Sequence, residues 1–334
     1  MIEVMQRFEA SFDAWLSNFA GDEPTLAMAR YHFGVGDAAP RRGKRLRPRL
    51  LFAVVEHERP GDEQALNDAC AAACALELLH NYSLVHDDIE DRDELRHGRP
   101  TVWARYGVAH GINTGDLLCS LSYLSLVQDQ RIASPEMAAR LTRILLEANY
   151  AMCLGQGQDI AFESRELVSY DEYLAMIAGK TAALFAAACE MGAIIAGVAP
   201  ALQCAYGEYG RSYGQAFQMR DDLLGTWGTV ETTGKPSGAD IKRRKWCFPV
   251  VWSLAQPPSA ARTIVAEAYA EKAPLSDARV AEVIAAFDAL GAREAVDLAV
   301  AQAFQRARHI AEVHAIDRDQ TLHQLFEVSA YRLA

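Results

Sequence analysis

Several things are scarce or missing in this chain, and each absence closes off a class of protein. None of the seven cysteines (Cys70, Cys74, Cys119, Cys153, Cys189, Cys204 and Cys247) belongs to a C-x-x-C pair. Neither a zinc site nor a disulfide framework is suggested, and a reducing cytoplasm is the expected compartment. The opening MIEVMQRFEASFDAW carries acids where an export signal would carry lysine or arginine ahead of an apolar run, so no export is expected. Basic charge is short: 33 Lys and Arg against 44 Asp and Glu leave a formal net charge of −11. That balance works against nonspecific attraction to nucleic acid or to an anionic membrane surface. Also missing are the phosphate loop G-x-x-x-x-G-K-[ST], the zinc helix H-E-x-x-H, the G-x-S-x-G elbow and a dinucleotide fingerprint after a strand.

What is present is enough apolar material for a sizeable core: 334 residues, of which 51% are hydrophobic. Length alone suggests about two domains. Alternating strand patterns are nearly absent, while apolar residues recur at three and four, as at Ala72, Leu76 and Leu79 with the small Ser83 next in the series, so the chain reads as mostly α. Helix breakers cluster at Gly34 to Pro48, Gly98 to Pro100, Gly197 to Pro200, Gly225 to Gly238 and Gln256 to Ser259. None is a long linker with a change of composition across it, which favours a single helical domain over 1–334. The least polar stretch, Thr181 to Leu202, is long enough to span a bilayer. It holds Glu190 and is built from alanine and glycine rather than leucine, so a buried helix is expected and no transmembrane segment.

Charge is concentrated in a few places. In LVHDDIEDRDELRHGRP, Asp87 and Asp91 are four apart and share one helix face, with Asp88 beside them. Like charges at this spacing cost roughly 0.2–0.5 kcal/mol per exposed pair, so Asp87, Asp88, Glu90, Asp91 and Asp93 together call for a compensating cation. Hard divalent ions fit oxygen ligands, magnesium above all when phosphates complete the shell. A solvated acidic face explains one such cluster equally well. A second pair, Asp221-Asp222 in FQMRDDLLG, follows a segment with Tyr206, Tyr209, Tyr213, Gly214 and Phe217 that has the pattern of a packed helix. The two pairs are expected to face each other across one cavity, and a polyphosphate held there needs lysine and arginine around its outer oxygens. Candidates are RRGKRLRPR from Arg41 to Arg49, Arg96, and the group Lys235, Lys242, Arg243, Arg244 and Lys245. The alternatives are a nucleic-acid patch for the first run, interrupted by glycine and proline, and a solvated surface for the last. His80 and His86 lie just upstream of the first acid pair, and each reads equally as a satisfied helix histidine.

Taken in order, GKRLRP (43 to 48), LLHNYSLVHDDIEDRDELRHGRPT (78 to 101), GINTGDLL (111 to 118), GQGQD (155 to 159), GKTAALF (179 to 185), FQMRDDLLG (217 to 225) and TGKPSGADIKRRKWCFP (233 to 249) resemble the blocks of the trans-type isoprenyl diphosphate synthases, the polyprenyl synthetase family. The resemblance covers almost the whole chain. It implies an all-α bundle with a central cavity and a magnesium-dependent prenyltransferase that joins isopentenyl diphosphate to an allylic diphosphate. By the same resemblance Asp87, Asp88 and Asp91 form the first aspartate-rich motif and Asp221 and Asp222 the second, with three magnesium ions bound alongside diphosphate; Asp87, Asp91 and Asp221 are the implied ligands. Arg96, Lys180, Gln218, Lys235 and Lys245 fall at allylic-diphosphate positions, and Lys44, Arg47 and His80 at isopentenyl-diphosphate positions. Thr181 is implied to steady the cation and Asp240 to order nearby basic groups. A homodimer is implied as well.

Two positions depart from the family pattern. Gly225 stands where many members have a third aspartate, and His97 where many have a second arginine for isopentenyl diphosphate. Tyr82, five before the first aspartate, is the implied floor of the tail pocket, followed by the small Ser83. A bulky floor and an uninterrupted first motif resemble short-chain synthases, with C20 expected and C15 next. The alternatives are a terpene cyclase or irregular coupling enzyme on the same fold, against which GKRLRP speaks, and a non-catalytic partner subunit, against which the five motif aspartates speak.

Overall fold

The computed structural model describes residues 2–18, 23–35, 43–228, 237–271, 274–316 and 321–330. It is helical nearly throughout, as expected. The elements are α1 (Ile2–Asn18), α2 (Pro24–His32), α3 (Leu46–Glu58), α4 (Glu63–Glu90), the strands β1 (Leu95–Arg96) and β2 (Arg99–Pro100), α5 (Val102–Tyr106), α6 (Val108–Val127), α7 (Pro135–Phe162) and α8 (Tyr170–Ile177). A π-helical turn (Ala178–Ala182) leads into α9 (Ala183–Ile195), α10 (Pro200–Trp227), α11 (Ala239–Lys242), α12 (Phe248–Ala255), α13 (Ala260–Ala270), α14 (Asp277–Leu290), α15 (Ala292–His314) and α16 (Thr321–Ala330). The chain divides into two compact units, each drawn from three stretches of sequence: Met1–Glu147 with Ala187–Gly207 and Asp317–Leu322, and Ala148–Ala186 with Glu208–Ile316 and His323–Ala334.

In the first unit α4 is the central helix. Its run Ala69–Leu76 is buried on every side, which is why the sequence there is alanine and cysteine rather than a one-sided stripe: small side chains let neighbouring helices close in all round. α3 and α6 pack on it. Phe8 and Phe12 of α1 close the N-terminal end, with Phe8 and Phe52 of α3 meeting edge to face at 6.2 Å.

In the second unit the second half of α10 carries the aromatic side chains that the sequence singled out. Tyr209 and Tyr213 are almost fully buried, and Tyr213 packs edge-on against Phe326 of α16 with ring centroids 4.7 Å apart. The breaks at Gly197 to Pro200 and Gln256 to Ser259 fall between helices as expected. Gly225 does not interrupt α10. The apolar stretch from Thr181 is not one helix to Leu202, because Gly197 takes φ +72° and ends it. The helical run Tyr170–Ile195 is long and apolar enough to cross a membrane, yet 67% of its apolar window is buried within the protein, the behaviour of a core helix.

Candidate active site

The first carboxylate cluster lies at the C-terminal end of α4, where the helix dipole is already negative. Asp87 and Asp91 are half-buried and Asp88 is 2% exposed. The helix stops because Arg92 takes φ +54° and the Asp93 N–H turns back to the Asp88 carbonyl at 2.9 Å. β1 and β2 then form a tight hairpin over His97 and Gly98, both with positive φ, the geometry that matches strand twist in a two-residue turn. The hairpin brings Arg96 back to Asp88, with Nε 2.9 Å and Nη2 2.8 Å from Oδ1. Burial nevertheless lifts Asp88 to about 6, the Arg96 bond and charge opposing it. His97, at the turn, is exposed.

The GKRLRP segment enters α3 through Arg45, which takes φ +52°, a left-handed conformation costing about 1–2 kcal/mol for a residue with a Cβ. Lys44 is exposed and Arg47 half-buried. His80, on α4, is held well below its ordinary value by burial, with Arg47 and Arg96 adding repulsion, and is neutral at pH 7. Tyr82 is 9% exposed, and its ring meets His86 edge to face at 5.4 Å. His86 fits because a Cβ at Gly115 of α6 would lie 2.2 Å from its Nε2. Ser83 is half-buried and donates to the His80 carbonyl at 2.7 Å.

In the second unit the π turn presents Lys180 and Thr181, and glycines make the approach possible. A Cβ at Gly155 of α7 would stand 2.2 Å from the Lys180 backbone nitrogen, and one at Gly214 of α10 would stand 2.5 Å from Ala182 Cα. Lys180 Nζ thereby reaches Asp159 Oδ2 at 2.5 Å. Thr181 donates to Gln218 Oε1 at 2.6 Å, and Gln218 donates to Asp222 Oδ1 at 2.9 Å. Asp222 Oδ2 accepts from the Tyr173 hydroxyl at 2.7 Å and the Phe248 N–H at 2.8 Å. Burial raises Asp222 to about 7, against the pull of these three donors. Asp221, its neighbour, is exposed. A Cβ at Gly225 would lie 2.7 Å from Asp240 Oδ2, so that the carboxylate of residue 240 sits against the position where many family members have an aspartate. Lys245 is half-buried, its N–H bonded to the Asp240 carbonyl at 3.0 Å. Lys235 lies outside the described residues.

Among the described residues no three His, Cys, Asp or Glu side chains converge closely enough to hold a metal by themselves. The residue types nonetheless suit a hard cation in each unit taken by itself: in the first, Asp87 and Asp91 share a helix face, and in the second, Asp221 is exposed, each offering carboxylate oxygen. An ion with so few protein ligands takes the rest of its shell from phosphate or water. Asp88 and Asp222 direct oxygens at protein donors. Sequence reasoning assigned no role to Asp159, although it stands in the quoted GQGQD block, nor to Arg45 within GKRLRP. Tyr173 had no signal at all, being one tyrosine on an ordinary amphipathic helix.

The Polyprenyl synthetase family model matches residues 35–287. A (2E,6E)-farnesyl diphosphate synthase from Mycobacterium tuberculosis is 43% identical over 244 residues, covering 72% of this chain and 66% of that protein. The match therefore spans just under two thirds of that relative's length. A geranylgeranyl diphosphate synthase from the same organism is 39% identical over 251 residues, covering 73% of this chain and 69% of its own. Among solved structures, a polyprenyl synthetase from Streptomyces coelicolor A3(2) superposes with a TM-score of 0.85 at 31% identity, over 99% of this chain and 98% of that one.

Proposed function

Because the chain belongs to the polyprenyl synthetase family, we propose that it is a short-chain prenyltransferase that extends an allylic diphosphate with isopentenyl diphosphate to C20, with C15 the nearest alternative. The observation that carries this reading is the coexistence of carboxylates suited to magnesium with a separate cationic segment. Lys44, Arg45 and Arg47 stand together in GKRLRP, with Arg45 and Arg47 close enough to His80 to act on its charge, a segment for which a cyclase has no use. Relatives named for C15 and for C20 products support the short-chain class.

In the proposed mechanism Asp87, Asp91 and Asp221 are the carboxylates that would hold magnesium, with three ions expected alongside diphosphate. The bound metal supplies Lewis-acid charge to the departing diphosphate. Arg96, Lys180, Lys235, Lys245 and Gln218 bind the allylic diphosphate; Asp159 steers Lys180, while Thr181 and Asp222 fix the Gln218 amide. Fixed donors of this kind stabilise charge without reorganising as it develops. Lys44, Arg47 and neutral His80 hold isopentenyl diphosphate, and exposed His97 offers a weaker, pH-dependent contact than the arginine many relatives have there. The isopentenyl double bond attacks the allylic cation, and the released diphosphate accepts the proton lost afterwards. Apolar surroundings keep water from the cation, and Tyr82 limits the tail.

The single-domain reading over 1–334 is retained because each compact unit is interleaved with the other in sequence. Homodimerisation is supported by exposed apolar residues in register on single helices, Leu146, Tyr150 and Leu154 of α7 among them. Seven free cysteines fit the cytoplasm. The test is incubation with magnesium, labelled isopentenyl diphosphate and C5, C10 or C15 allylic diphosphate, with products resolved by length. Label in a C20 or C15 diphosphate is expected; allylic substrate consumed to hydrocarbon or alcohol without label would overturn elongation.

A further inference from the structure

Three cations stand within four positions of the GKRLRP segment, and one of them points away from solvent. The Arg45 side chain is 8% exposed; its Nη1 donates to Glu77 Oε1 at 2.5 Å and its Nε to Glu9 Oε1 at 3.0 Å. Its guanidinium lies 5.3 Å over the Phe12 ring. Glu77 is equally enclosed, with its side chain 6% exposed. The same Glu77 oxygen accepts from Asn81 Nδ2 at 2.9 Å, and Asn81 Oδ1 meets His32 Nε2 at 2.9 Å. A connected polar chain thus runs through the interior from α1 and the start of α3, along α4, to the end of α2.

A buried ion pair is weak evidence for stability, since well-packed apolar side chains of similar volume commonly serve as well. What this one fixes is geometry. Arg45 is the left-handed residue at which the chain turns into α3, so Lys44 approaches from one side of it and Arg47 leaves on the other. The Lys44 carbonyl is itself tied to Arg49 Nε at 3.0 Å. Glu77 sits on α4 one turn before His80 and Asn81.

We propose that the buried Arg45–Glu77 pair is a positioning device for isopentenyl diphosphate, pinning the α3 entry to the α4 turn that carries His80 so that Lys44, Arg47 and His80 meet one diphosphate in a fixed arrangement. The inference rests on the assignment of those three residues to that substrate. Arg45 and Glu77 touch no substrate; they act through their neighbours, and bidentate or forked recognition of phosphate loses affinity when its donors are misaligned.

The test uses the full chain, comparing Glu77→Gln, Arg45→Lys and Lys44→Ala by steady-state kinetics, by calorimetric titration with isopentenyl diphosphate and by thermal melting. Glu77→Gln is expected to raise both KM and Kd for isopentenyl diphosphate by about tenfold, with kcat and the allylic KM within about twofold. Arg45→Lys keeps the charge without the fork and is expected to fall between it and the parent; it carries the test alone if Glu77→Gln does not fold. Lower melting temperature with an unchanged isopentenyl KM would mean a purely structural pair and would overturn the proposal. A parent-like isopentenyl Kd in both variants beside a weakened Lys44→Ala would overturn it alone. Parent-like affinity in Lys44→Ala would sink the underlying site assignment and the inference with it.

Discussion

The Tyr173 hydroxyl donates to Asp222 Oδ2 at 2.7 Å, and the two side chains are 1% and 7% exposed. The neighbouring Asp221 faces solvent. Two carboxylates adjacent in sequence therefore have different surroundings: Asp222 organises Tyr173, Gln218 and the start of α12, while Asp221 stays at the surface.

Tyr173→Phe removes one donor from a buried acceptor, which costs about 1–3 kcal/mol. Urea unfolding is expected to show a lower midpoint with an unchanged slope. Asp221→Ala is the counterpart, expected to abolish magnesium-dependent turnover while leaving the urea midpoint at the parent value. Near-parent activity in Asp221→Ala would remove it from the ligand set.

Two glycines in one heptad of α7 give an internal control. Gly155→Ala drives a methyl to 2.2 Å from the Lys180 nitrogen, whereas a Cβ at Gly157 meets nothing within 4 Å. Gly155→Ala is expected to cost about 1–3 kcal/mol and to lower turnover by displacing Lys180 from Asp159. Gly157→Ala gains helix propensity, about 0.5–1 kcal/mol. Equal melting temperatures for the two variants would refute the close-approach account.

Burial lowers His32 to about 4, with Arg96, His97 and Arg99 adding repulsion and the Asn81 bond opposing them. The neutral ring is the native form, so its contribution is fully present above the unfolded value near 6.5 and is lost as pH falls towards 4. For a half-buried ring the loss is on the order of 2 kcal/mol. Unfolding free energy measured from pH 7 to 4 is expected to fall in the parent and to fall less steeply in His32→Gln; parallel curves would exclude His32 as the source.

Tyr82 is nearly buried and braced by His86. Tyr82→Ala is expected to shift the product distribution to longer chains, read by chromatography of the dephosphorylated alcohols. An unchanged distribution would remove Tyr82 as the floor.

Much of the local geometry around the candidate site was legible in the sequence. Spacing alone set Asp87 and Asp91 on one helix face, and Gly197 and Gln256 to Ser259 marked real helix ends, because these signals depend on local backbone geometry. Gly225 was misleading as a breaker. It lies inside α10, where its missing Cβ makes room for the Asp240 carboxylate, and a contact of that kind between distant residues leaves no local trace. The same holds for the glycines that let α7 and α10 reach the π turn.

Composition and periodicity by themselves determined a helical chain, the residue types able to bind metal and phosphate, and the order of the motifs, since each follows from chemistry within a few residues. Tertiary structure decided which member of each charged pair does what. Asp88 and Asp222 are taken up by Arg96 and Tyr173, and Arg45 turns inward to Glu77 while Lys44 remains exposed. The sequence presents these side chains as equivalent; burial separates them, because a charge removed from water must find a partner that only the folded chain brings near.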